Sequence, residues 1–170
     1  MSRFLFALAA LALPLPSAAA SHQLDQGRVR FTAPDGWTVI MEKTDGDPQF
    51  LVFQVPNPQA PGTLSRIGVR LESVAGATGF SDDVKTALRK AKDGQGYKAL
   101  PAQPGEYATL RYETAAEGVR QSVRLSFIHH GDRAIELSCI RPLEVTASGR
   151  WLADWNRACD ELAKQLEQTP

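Results

Sequence analysis

Histidine, cysteine and surplus charge are all scarce in this chain of 170 residues, which has 3 His, 2 Cys, and 19 Lys and Arg against 19 Asp and Glu. Balanced charge excludes bulk electrostatic attraction to nucleic acid or to an anionic membrane surface. Two cysteines exclude a miniprotein stapled by a dense disulfide network. Three histidines leave few bases for catalysis and few ligands for zinc. Catalytic signatures are missing as well: there is no G-x-S-x-G elbow, no H-E-x-x-H, no paired C-x-x-C and no Walker loop. With 43% hydrophobic residues, the chain is too apolar to stay disordered.

The first twenty residues read as a segment apart from the domain. Arg3 gives a positive start, Phe4 to Leu15 is apolar apart from Pro14, and Ala18 and Ala20 occupy the A-x-A positions. This is the pattern of a secretory signal peptide cut near Ala20, and it is shorter than the roughly 20 apolar residues of a membrane span. No membrane span is therefore expected. Removing residues 1–20 takes away Arg3 and no acid, so the mature domain, 21–170, carries a net charge of −1. About 150 residues suffice for one domain with its own core.

Along that domain the hydrophobic period is first two, then helical, then two again, then helical. Residues 21–27 are polar and read as loose. Strands are expected at 28–32, 37–41, 50–55 and 66–72, separated by Pro34-Asp35-Gly36, by the turn at 44–48 and by the Pro-rich loop 56–62. Ser81 reads as the N-cap of a short helix, with Val84, Ala87, Leu88 and Ala91 on one side and Gly94 as its stop. Further strands follow at 97–100, 106–113, 119–129 and 134–140. A final helix from about Ser148 to Gln168 carries Leu152, Trp155, Cys159, Leu162 and Leu166 as an apolar stripe. The class is α+β: an antiparallel sheet with helices packed on it.

Cys139 lies on the apolar side of its strand and Cys159 on the apolar stripe of the last helix. If helix packs on strand there, the two can meet. Two buried free thiols are the alternative, and an oxidising compartment favours the bridge.

Few residues carry a chemical pattern. His129 and His130 stand beside Gly131-Asp132, where a solvated turn explains them better than a metal site with one adjacent pair of ligands. Gly94-Gln95-Gly96-Tyr97-Lys98-Ala99 approaches a dinucleotide fingerprint, but it follows a helix, where a strand is required. Asp45-Gly46-Asp47 reads as a turn and not as a calcium loop. Glu113, Glu117 and Glu136 read as surface charge. No catalytic residue, metal site or cofactor is expected. The strongest polar pattern is arginine: Arg66 and Arg70 share a side of one strand, Arg120 and Arg124 share a side of another, and Arg111 accompanies Tyr107 on a third. On neighbouring strands these would form a protein-binding or anion-binding surface. Cross-strand pairing with Glu72, Glu113 and Glu136 is the plainer outcome.

Phe31-Thr32-Ala33-Pro34-Asp35-Gly36-Trp37, the single mid-chain helix, and Ile135-Glu136-Leu137-Ser138-Cys139 before a Trp-containing helix resemble the PsbP-like superfamily. That superfamily includes the photosystem extrinsic subunit and the DcrB-like periplasmic proteins. The resemblance implies an α/β/α sandwich that serves as a binding or assembly module without catalysis. The corresponding functions are an exported, periplasmic or secreted envelope factor that engages a protein partner, including immunity to an envelope-targeted toxin, or a carrier of a small apolar or anionic ligand.

Overall fold

A computed structural model describes residues 19–103, 108–143 and 149–169. The expected signal segment falls mostly on 1–18, outside the described residues, as does Tyr107. The strands are β1 (Ala20–Leu24), β2 (Val29–Ala33), β3 (Thr38–Lys43), β4 (Gln49–Val55), β5 (Ser65–Ser73), β6 (Lys98–Ala99), β7 (Thr109–Ala116), β8 (Val119–His130) and β9 (Arg133–Pro142). The helices are α1 (Gly76–Lys92), between β5 and β6, and α2 (Gly149–Glu167), after β9. Strands β1 and β2 form a hairpin of their own. The other seven form one antiparallel sheet in the order β3-β4-β5-β9-β8-β7-β6. The chain is thus α+β. No helix of the described residues is long and apolar enough to cross a membrane.

The sheet is covered on both sides, one helix to each. Register alone assigns the sides, because neighbours directly opposite in a ladder share a face. Ile67, Cys139, Arg124 and Arg111 lie on one rung and face α2; Arg66, Ile140, Val123 and Tyr112 lie on the next and face α1. On the α2 side, Phe53, Ile67, Val69, Leu137, Trp155, Leu162 and Leu166 join Leu24, Val29 and Phe31 of the hairpin in the larger core. Gln165 of α2 accepts from the backbone N–H and the hydroxyl of Thr32, which fixes the hairpin against the helix. On the α1 side, Val123, Leu125 and Phe127 pack under Phe80, Val84 and Ala87. An alternating strand whose second side also meets a helix is buried twice over, which explains why Ser126 and Ile128 are buried together with Leu125 and Phe127.

Cys139 and Cys159 form a disulfide, as their places on facing apolar sides suggested. The bridge ties α2 to β9. Higher up the helix, Trp151 stacks on Trp155 and donates its indole N–H to the Pro56 carbonyl, which clasps the Pro-rich loop.

Two expectations change. Residues 21–27 are not loose. His22 packs edge-on against Phe53 and stacks on Phe31, and Leu24 is only 1% exposed. The chain then turns through Asp25 (φ 52°), Gln26 (φ 55°) and Gly27 (φ 87°), backbone that non-glycine residues adopt only when held. The holding groups are named. The Asp25 N–H donates to the Gln49 side chain, and the carboxylate of this buried residue accepts from Arg28 at 2.8 Å and Arg133 at 3.2 Å. Polarity there satisfies a fixed network and does not mark a free terminus. The second change is the start of α1, which begins at Gly76 and places the expected cap, Ser81, inside the helix. Gly76, at φ 63°, opens the helix in left-handed backbone that suits glycine, and docking Phe80 against the sheet and against His129 offsets Gly79, worth about 1 kcal/mol less than alanine in a helix.

Replacing both cysteines (C139A/C159A) should lower unfolding stability by about 3 kcal/mol, given the 20-residue separation, as read by denaturant titration with and without reductant. Burial works to raise the Asp25 carboxyl, and Arg133 and Arg28 outweigh it, so the group sits below its ordinary value of 3.8. Its stabilisation is present above that value and fades as pH falls through it. Asp25→Ala should therefore cost about 2 kcal/mol at pH 7 and progressively less as pH falls below 3.8, in melts recorded at pH 7 and at about pH 3.

Candidate functional site

On the α1 side of the sheet a cleft of about 560 Å³ opens between the helix and strands β5, β9, β8 and β7. The helix touches β7 and β8, and short side chains occupy the seam toward β9. Ala87 and Ala91 project from the helix, and Ala134 and Ser138 come from β9. Gly68 on β5 makes room for Ser138: a Cβ there would meet Ser138 Oγ at 2.7 Å, and that hydroxyl donates to the Gly68 carbonyl at 3.3 Å. Val123, Leu125, Phe127 and Ile140 supply an apolar floor.

Charge is concentrated at the β5–β9 side. Arg70 and Glu72, two apart on β5, share the cleft face and meet fork to fork, with both guanidinium Nη atoms 2.5 Å from the two carboxylate oxygens. Arg70 stands opposite Glu136 across the β5–β9 ladder. Among the described residues Glu136 makes no hydrogen bond and no ion pair within 4 Å. Burial pushes its carboxyl above the ordinary value, Arg70 and Lys90 offset part of that, and Glu72 adds to it. Burial also raises the Tyr112 hydroxyl, assisted by Glu136 and Tyr97; the Tyr97 and Tyr112 rings lie 5.5 Å apart. Lys90 and Asp83 complete the charged lining from α1.

No protein-family model matches the chain, and no curated protein matches it in sequence.

The arginines singled out from the sequence do not share one face. Arg66 and Arg70 belong to the α1 side, whereas Arg111, Arg120 and Arg124 belong to the α2 side. The pleat decides this. β5 and β8 both pair with β9, Arg70 opposite Glu136 and Arg124 opposite Cys139, and those two β9 residues point to opposite sides. The cross-strand pairing with acids is realised in part: Arg120 meets Glu113 at 2.8 Å, and Arg70 pairs with Glu72 along its own strand. Arg124 instead reaches α2 and meets Asp160 at 2.5 Å. Arg141, across the ladder from Ser122, joins the α2-side group; burial lowers its pKa and Glu113 works against that.

The two histidines are not at a solvated turn. Both end strand β8, with the turn proper at Gly131 and Asp132. His129 stacks on Phe80 under α1, its ring centroid 4.9 Å away, and His130 bonds the Leu166 carbonyl of α2 through Nε2 at 3.0 Å. Adjacent residues on a pleated strand point to opposite faces, so the pair divides between the two helices. Among the described residues no group of three or more His, Cys, Asp or Glu converges on a metal-sized space.

Glu136, read from the sequence as surface charge, is the residue of the cleft that sequence reasoning passed over. Its signal lay in Glu136, Ser138 and Ile140, which alternate with buried residues and include an apolar member that a fully solvated face does not need.

A carboxyl whose folded pKa is raised costs stability once pH exceeds its unfolded value, about 4.5 for Glu136. Glu136→Gln should therefore raise the melting temperature at pH 7, with the gain disappearing near pH 4. Equal melting temperatures at pH 7 would contradict the burial of that charge.

Proposed function

We propose that this protein is an exported, non-enzymatic binding protein that holds a small molecule with an apolar body in the cleft between α1 and the sheet. The observation that carries the reading is the cleft itself. Its volume of about 560 Å³ lies within the range of small-molecule sites, and an apolar floor with a few convergent polar groups is the usual composition of such sites. The disulfide fits an oxidising, exported location, in keeping with a signal segment over residues 1–20. A helix on each face of an antiparallel sheet supports the PsbP-like sandwich suggested by the Phe31–Trp37 and Ile135–Cys139 patterns.

A second reading, an assembly or toxin-neutralising factor that engages a protein partner in the envelope, draws on Arg111, Arg120 and Arg124, which still share the α2 side. Arginine is enriched where interfaces bind tightly. The cleft, with its apolar floor, favours the small ligand as the principal function.

A neutral apolar dye such as Nile red reads the cleft directly. Titration should give one saturable site per chain. Ala87→Trp, which places an indole in the cleft from the helix side, should abolish the signal while the circular dichroism spectrum stays unchanged. Undiminished dye binding by a folded Ala87→Trp variant would remove the cleft as the site.

A further inference from the structure

The charges lining the cleft are not balanced. Glu72, Asp83 and Glu136 stand against Arg70 and Lys90, a surplus of one carboxylate. Nor are all of them open to a ligand. The Arg70 fork is spent on Glu72, both Nη atoms on both oxygens, so it offers an incoming anion little that Glu72 does not already hold. Lys90 and Asp83, both exposed on α1, offset one another in that sum, which leaves Glu136 as the surplus acid. Glu136 is the acid on the sheet side of the cleft that has neither hydrogen-bond donor nor ion-pair partner within 4 Å among the described residues. A partly buried carboxylate without a donor is costly, and a ligand that brings one recovers that cost. Directly beside it the β8 floor is hydrocarbon: Phe127 lies opposite Glu136 on the β8–β9 ladder, with Leu125 and Val123 further along the strand.

We propose that the cleft selects an amphiphilic monocation, an alkyl or aryl amine, with its ammonium on Glu136 and its hydrocarbon along Phe127, Leu125 and Val123. The inference rests on the cleft being a ligand site, as proposed above, and it narrows the ligand from any small molecule with an apolar body to a cationic one. An ammonium supplies three donors and one positive charge, which matches the surplus carboxylate and the missing donor together. A fatty carboxylate of the same length would add a second negative charge to a lining that already carries a surplus of one.

Competition against bound Nile red separates the two claims. The competitors are dodecylamine, dodecanol and dodecanoate, each below its aggregation threshold, at pH 7. The amine should displace the dye at a concentration about tenfold lower than the alcohol, the ratio expected of one charge-assisted hydrogen bond, and the carboxylate should be the weakest. In Glu136→Gln, with folding checked by its melt, the amine should lose that advantage while the alcohol is unchanged. Three equal competitors, a tighter carboxylate, or an amine preference that persists in Glu136→Gln would overturn the amine assignment and leave the cleft reading standing. Failure of the dye to bind the wild-type cleft at all would overturn both.

Discussion

Strand β9 carries the constraint on which the rest of the molecule depends. It lies between β5 and β8, and its residues alternate without a break: Ile135, Leu137 and Cys139 point one way, and Glu136, Ser138 and Ile140 point the other. The disulfide at Cys139 commits the first side to α2. Once that side is taken, the hairpin β1–β2 finds its apolar surface beside the same helix, and the larger core closes around Phe53, Ile67 and Leu162. The second side, with its mixed polar and apolar character, is left to α1. A period-two pleat permits no compromise between the sides, since a slip of one residue would drive Glu136 into the larger core and pull Cys139 out of it.

Much of this was legible in the sequence. The strands from Val29 onward, both helices and the meeting of Cys139 with Cys159 follow from periodicity and turn residues, because those signals are local. What failed was whatever depended on a partner distant in sequence. Residues 21–27 look polar and loose until Arg133, more than a hundred residues away, is brought to Asp25. Gly79 argues against helix until Phe80 is seen docking on His129. His129 and His130 look like a turn because their two faces, one under each helix, cannot be read from adjacent letters.

The arginine pattern fails for a subtler reason. Within each strand the spacing was read correctly, and Arg66 with Arg70, or Arg120 with Arg124, do share a side. Whether two strands put their arginines on the same side depends on the register each keeps with β9, and no composition or period reports register between strands that are far apart in the chain. The same missing information hid Glu136. It looked like one more surface acid because the helix that covers its face is built from a separate segment, Gly76–Lys92.

The cleft itself follows from side-chain size more than from charge. A helix packed on a sheet normally closes the seam with large residues from both partners. Here Phe80 and Val84 do so over β8, but Ala87 and Ala91 from the helix and Ala134 and Ser138 from β9 withhold volume along the seam. A core under pressure only for stability would fill such a space with leucine or isoleucine, which fit the strand and helix patterns equally well, and would not set an unpaired carboxyl beside it. Small residues around the gap together with Glu136 at its edge are two separate departures from that solution, in one place. Both are relieved by the same event, the entry of a molecule that brings hydrocarbon for the space and a donor for the acid.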